Sequence, residues 1–339
     1  MSEAVEREFR YLAEGVDEGG SLGRYLHWLK TQVLPLFVRK DSEALDFQRK
    51  HQFSIKFIYI AAAAVIGIVI AQTLFWPLHV WLIWGEVALI AAMLFVQRWD
   101  RKGQFHSMWM QSRFLAEKLR CGFYTFLFKT EEREKDGTPA SFLAIQERSA
   151  AWESLLESMD FSSRPDIDLE AEREVVVSFI QRSWLAGQKS YHRKTAHLKH
   201  HGFEKVERIG YVFLLVTIAA AILHALGVGH YTPWSRPWDL FFHGDPGTTW
   251  TVGNSLTLVA ILLPAVSASL NAIKNGLEMH KMALRSHRVA DGIEPFEKAL
   301  ADCTNMKQVR EVVGYIERFF LAEHEEWHSL IAHKEADVG

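Results

Sequence analysis

The hydrophobic positions of this chain gather into four long runs instead of a stripe repeated along helices or strands. Residues 54–75 (SIKFIYIAAAAVIGIVIAQTLF), 78–96, 210–228 and 252–273 are predominantly apolar, with few charges. Each run has about the 20 residues that cross a ~30 Å hydrocarbon core. Helices of a soluble core rarely stay apolar all round for so long, so the pattern predicts four transmembrane helices. Lys56 lies at the edge of the first run, where its stem can snorkel to the headgroups. Glu86 is the one carboxylate inside a span.

The polar flanks set the orientation. Arg39, Lys40, Arg49 and Lys50 precede the first run, and Arg98, Arg101 and Lys102 follow the second. Lys189, Arg193, Lys194, Lys199, Lys205 and Arg208 precede the third, and Lys274, Lys281, Arg285 and Arg288 follow the fourth. The loop around Pro77 has no Lys or Arg, and residues 229–251 have only Arg236. The positive-inside rule then puts both short loops outside and both termini in the cytoplasm of a bacterial inner membrane. Trp76, Trp81 and Trp84, and Trp234, Trp238 and Trp250, read as aromatic belts at the outer interface. Residues 1–20 are acidic and polar and form no signal peptide, so the first span is expected to act as the insertion signal.

The two halves share a plan of basic entry helix, span, outer loop, span and long polar exit helix. Phe47-Gln-Arg49-Lys50 matches Tyr191-His-Arg193-Lys194 in the entries. Ser112, Ala116 and Glu117 match Ser286, Ala290 and Asp291 in the exits, at an offset of 286 − 112 = 174. These matches point to a tandem duplication. No proline interrupts residues 78–130, and Phe105, Met108, Trp109, Phe114, Leu115, Leu119 and Phe123 keep helical spacing, which predicts one unbroken helix of ~80 Å. Residues 168–226 also lack proline. There Asp166 and Asp168 suit the helix cap, and Glu170, Glu172 and Glu174 suit the positive end of its dipole. Residues 129–140 read as a loop, Thr138 and Pro139 as the start of a short helix, and 305–333 as an amphipathic helix. The expected fold is an all-α membrane protein with long helical cytoplasmic extensions forming a bundle. In chain order it divides into an N-terminal helical segment, 1–45, and two two-span units, 46–160 and 161–339.

Composition narrows the chemistry. The net charge is -3 and the pI about 6.6, against nucleic acid as the main partner. Cys121 and Cys303 both fall in cytoplasmic segments and are expected to stay reduced. There is no Walker A loop, no G-x-G-x-x-G and no Ser/His/Asp motif context. His324-Glu325-Glu326-Trp327-His328 matches H-E-x-x-H, but His333, the nearest third ligand, points about 180° away around a helix. His192, His197, His200 and His201 crowd the third entry without a Cys or a placed carboxylate to complete a metal set. No catalytic residue, metal or cofactor is expected. The basic residues Lys189, Arg193, Lys194, Lys199, Lys205 and Arg208 read as a collar on anionic headgroups.

The fourth span carries the densest polar pattern. Ser267, Asn271, Asn275 and Glu278 recur at three or four residues, and Lys274 joins Glu278 at i and i+4. Such a stripe either lines water or glues helices together. Ser267, Asn271, Lys274, Asn275, Glu278 and Glu86 are therefore the pore-lining candidates. Glu86 lies about two turns from the outer interface, so a functional role competes with simple reach to the headgroups.

Residues 109–120 (WMQSRFLAEKLR), the His/Lys/Arg-rich 184–208, residues 262–275 (LLPAVSASLNAIKN) and the Glu-x-x-Trp pattern of 323–329 resemble the SLATT proteins of bacteria. These are two-transmembrane modules associated with nucleotide-second-messenger and SLOG-type defence systems. The resemblance covers most of residues 45–335 and implies a homo-oligomeric effector that permeabilises the membrane. A cytoplasmic sensor protein or nucleotide signal would trigger it. The chain departs from the family by holding two modules and no attached sensor. A non-conducting scaffold that recruits cytoplasmic partners is the other expectation.

Overall fold

The computed structural model describes residues 2–76, 78–79, 81–128, 143–228 and 246–336, and of these it leaves out the side chains at 2, 143–149, 246–250 and 323–336. The expectations for 129–140, Trp234, Arg236, Trp238 and the side chains of Trp250, His324, His328 and His333 fall outside the described residues. Among those described, the regular elements are all helical. They are α1 (Ser2–Ala13), α2 (Ser21–Gln32), α3 (Leu34–Phe75), α4 (Trp81–Gly103), α5 (Phe105–Thr125), α6 (Leu143–Glu157) and α7 (Arg173–Phe179). A π-helix (Ile180–Ala186) leads into α8 (Gly187–Ala225), followed by α9 (Pro246–Gly276), α10 (Met279–Gly292), α11 (Glu294–Ala301) and α12 (Met306–Ala336). Four helical stretches are long and apolar enough to cross a membrane, which makes this an all-α membrane protein. The first and fourth expected spans lie inside them; the second begins three residues before Trp81 and the third ends three residues after Ala225.

Compactness does not follow chain order. One unit, the bundle, comprises Met1–Gln48, Phe105–Thr195 and Arg285–Gly339. The other, the span unit, comprises Arg49–Gln104 and Ala196–Leu284. Each two-span stretch of sequence, 46–160 and 161–339, therefore supplies both units.

The bundle has an aromatic core. Trp184 and Tyr124 are fully buried and stack at 4.4 Å with planes 4° apart, and the Phe320 ring lies 5.7 Å from that of Trp184. Each ring contributes a few kcal/mol of burial, roughly 25 cal/mol per Å2. Tyr25 Oη donates to the Phe123 carbonyl at 3.0 Å, so its buried hydroxyl is satisfied. The π-helix seats α1: Tyr11 Oη donates to the Ser183 carbonyl at 3.1 Å, and Arg182 donates to the Leu12 carbonyl at 3.1 Å. A Cβ on Gly187 would collide with Tyr11 Oη, so this close approach needs glycine.

Two carboxylates expected to serve their own helix serve others. Glu172 accepts from the backbone N–H groups of Ser21 and Leu22, both at 3.2 Å, at the start of α2. Glu170 accepts from Met306 N at 3.1 Å at the start of α12. Both satisfy orphan donors and the positive dipole end of a helix distant in sequence. Asp168 accepts from Ala171 N at 3.1 Å, a local turn before α7 begins at Arg173.

The span unit shows where the long exit helix departs from expectation. It does not run unbroken: Gln104 has φ +46°, and helix resumes at Phe105. Glu278 has φ +48° between α9 and α10. These are the two positive-φ non-glycine residues of the described chain, and 278 − 104 = 174, the offset that relates the exit motifs. Absence of proline could not reveal them, because a single left-handed residue interrupts the hydrogen-bond ladder without proline's signature.

Candidate functional site

The polar stripe of the fourth span lies on α9 and splits between two environments. Ser267 faces inward: a Cβ on Gly210 of α8 would stand 3.3 Å from its Oγ, so the two helices approach closely here. Lys274 is 9% exposed, ion-paired to Glu207 of α8 at 3.3 Å, with its ammonium 4.4 Å from the Phe203 ring centre. Asn271 and Asn275 are exposed, and neither amide has a hydrogen-bond partner among the described residues. Glu278 sits at the left-handed break and pairs with Lys281 at 3.6 Å. Ser267 and Lys274 thus belong to helix–helix contacts, whereas Asn271 and Asn275 look out of the unit.

The offset of 174 carries this geometry onto α4. Val87, Ile90, Leu94, Gln97 and Arg101 are all exposed, and so are Ile261, Pro264, Ala268, Asn271 and Asn275. The first face is bulky and apolar, then cationic. The second is mostly small, then amide-bearing. At the next equivalent pair, Asp100 meets His51 of α3 at 3.3 Å, where Lys274 meets Glu207 of α8. Glu86 is half-buried, sharing the inward side of α4 with Leu82, Leu89, Met93 and Val96, and has no ion-pair or hydrogen-bond partner among the described residues.

The expected basic collar is not one layer. α8 is a single helix of 39 residues, and Lys189 and Arg208 are ~29 Å apart along it at 1.5 Å per residue. A headgroup layer is only ~5–8 Å thick on each side of the bilayer. Lys189 is instead bound to Glu297 at 2.6 Å within the bundle. Arg193 and Lys194 are exposed and lie four to five residues beyond it, still ~21 Å or more from Arg208. Lys199 is half-buried, and that burial, with Lys56 nearby, holds its ammonium below the usual lysine range. Lys205 is exposed, and Arg208 pairs with Glu204 at 2.9 Å. His197 and His201 stack at 6.4 Å, but no three His, Cys, Asp or Glu side chains converge as a metal set among the described residues.

Sequence reading missed a buried charge cluster in the bundle. Glu117, 2% exposed, accepts from Arg120 at 2.6 Å and from Gln188 Nε2 at 3.2 Å. Arg113 lies 3.8 Å from the same carboxylate and binds Asp41 at 3.0 Å. His192 is largely buried beside them, with no hydrogen-bond partner for its Nδ1. Burial pushes His192 down to about 4; Glu117 opposes the shift, and Arg285, Arg113 and Arg120 add to it. The sequence signals for this cluster are the spacing of Arg113, Glu117 and Arg120 at four and three residues and the match of Glu117 to Asp291.

The fold and these positions define an α-helical integral membrane protein with a separate helical bundle. No protein-family model, curated protein or solved structure matches the chain.

Proposed function

We propose that this chain is an oligomeric, channel-like effector of a bacterial inner membrane, with its termini and bundle cytoplasmic, and that α9 supplies the polar wall of its conducting path. The observation that carries the reading is the outward pair Asn271 and Asn275. An unpaired amide facing lipid costs roughly 1–3 kcal/mol or more. The exposed faces of α3, α4 and α8 offer lipid Ile60, Leu94, Phe95, Leu214 and Ile222 instead. The amide face of α9 suits a second copy of the chain or a water-filled axis. α3 and α8 each contribute residues to both units, which suits gating through the bundle by a sensor protein or nucleotide signal. The SLATT-like pattern points to bacterial defence signalling as the setting.

Single-channel recording of the purified chain in planar bilayers tests this. Asn271→Leu lowers unit conductance several-fold while the protein still inserts. Parental conductance in Asn271→Leu, or no current from the parent with its partner system, refutes the pore.

A second reading, a non-conducting scaffold, is favoured by a different observation. Ser267 and Lys274, two of the stripe residues, are already used to hold α9 on α8. In that case Asn271 and Asn275 glue copies together, and Asn271→Leu changes the oligomeric state without any current to lose.

A further inference from the structure

We propose that the outward face at the basic end of α4 is a binding site for the phosphate of an anionic phospholipid, held by Arg98, Arg101 and Lys102, with an acyl chain along Leu94. The inference rests on reading α4 as a membrane span. Leu94, Gln97, Arg98, Arg101 and Lys102 recur at three and four residues and border one open depression on the surface of α4. All five are exposed. None of the three cations has an ion pair or hydrogen bond among the described residues. Elsewhere in the span unit Lys274 pairs with Glu207, Arg208 with Glu204 and Lys281 with Glu278, and Lys56, Lys199 and Lys205 have no such partner among the described residues; Arg98, Arg101 and Lys102 are set apart by lying within about one turn of a single helix. Three like charges at i, i+3 and i+4 repel one another, so the face calls for an anion.

Its position selects which anion. From Arg98 to Lys102 the helix rises ~6 Å, about the depth of one headgroup layer. One turn back, Leu94 and Phe95 are 62% and 71% exposed. Apolar surface followed by a cationic fork is the order of an acyl chain and its phosphodiester. Two guanidinium groups present donors that match phosphate oxygens, and Lys102 adds a point charge. The equivalent face of α9, with Ala268, Asn271, Ala272, Asn275 and Gly276, has no cation. The site is therefore a property of the first half and not of every helix end in the unit.

The test is native mass spectrometry of the full chain in mild detergent, titrated separately with phosphatidylglycerol, phosphatidylcholine and glycerol 3-phosphate. The parent retains phosphatidylglycerol in preference to phosphatidylcholine. Arg98→Gln/Arg101→Gln/Lys102→Gln lowers that retention at least about tenfold, since each cation near an anionic surface counts for about fivefold. Arg7→Gln/Arg24→Gln/Lys307→Gln, which removes three exposed cations of the bundle, leaves it within about twofold. Undiminished retention by the triple variant overturns the site. Glycerol 3-phosphate bound as tightly as the whole lipid also overturns it, in favour of a soluble phosphate ester. Failure of the membrane reading looks different: the chain would then leave membranes in alkaline carbonate without detergent.

Discussion

Asp100 and Lys274 stand four residues ahead of the two left-handed breaks, at Gln104 and Glu278, and each grips the preceding helix with the opposite charge. Asp100 holds His51, and Lys274 holds Glu207. The two positions, 174 residues apart, each hold the preceding helix, one with an anionic and one with a cationic side chain. The expected consequence is that Lys274→Ala destabilises the span unit by about 1–2 kcal/mol through lost ion pairing and cation–π contact. Thermal unfolding in detergent measures it, and Lys274→Glu with Glu207→Lys restores most of the loss. An unchanged midpoint in Lys274→Ala would mean that the contact is idle.

The breaks themselves are strained for ordinary residues. A left-handed non-glycine residue costs on the order of 1 kcal/mol, which glycine avoids. Gln104→Gly and Glu278→Gly should each be neutral or stabilising by up to about 1 kcal/mol. Gln104→Val should lower the unfolding midpoint, because a β-branched side chain resists this backbone. If valine is tolerated as well as glycine, residue 104 is not left-handed in the membrane.

Acid should weaken the bundle through His192. Its folded value, about 4, lies below the ordinary 6.5, so the unfolded chain binds more protons between those limits. Stability is complete above about pH 6.5 and declines as pH falls through 4, by at most about 3 kcal/mol. The difference in melting midpoint between pH 7.5 and 4.5 should shrink in His192→Gln. The same acid sensitivity in that variant would assign the effect to other groups.

Orientation has its own test. Reporters fused at residue 79 or 240 should read periplasmic, and those at 150 or 339 cytoplasmic, because Lys and Arg crowd one side of the four spans. A cytoplasmic signal at 240 would overturn the topology.

The four spans were legible because hydrocarbon imposes a length and a composition on any helix that enters it, and residues 54–75 or 210–228 meet both without reference to the rest of the chain. Helical spacing put Ser267 and Asn271 on one face, whereas Ser267 packs against Gly210 of α8 and Asn271 is exposed. The pairing of Lys274 was not legible, because its partner, Glu207, is 67 residues away and no local pattern announces it. Gln104 and Glu278 are poor left-handed residues by type, so propensity pointed to continuous helix. Glu170 and Glu172 were assigned to the nearest helix start, although the donors they satisfy belong to Met306, Ser21 and Leu22. Glu117 has its neutralising partners, Arg113 and Arg120, within a turn on its own helix, but its burial and its contact with Gln188, 71 residues away, come only with packing.

The cap that Glu172 supplies to Ser21 and Leu22 has a consequence for biosynthesis. The partner is made 151 residues later, and at roughly 5–20 residues per second the delay is about 8–30 s. During that interval the first hairpin, residues 54–96, has already left the ribosome and can enter the bilayer. α1 and α2 meanwhile wait with Phe9, Leu12, Leu22 and Leu26 unburied, since Ser183, Trp184 and Glu172 do not yet exist. The nascent N-terminus therefore keeps apolar surface uncovered until the second entry helix emerges, and translation speed through residues 100–190 sets how long that exposure lasts.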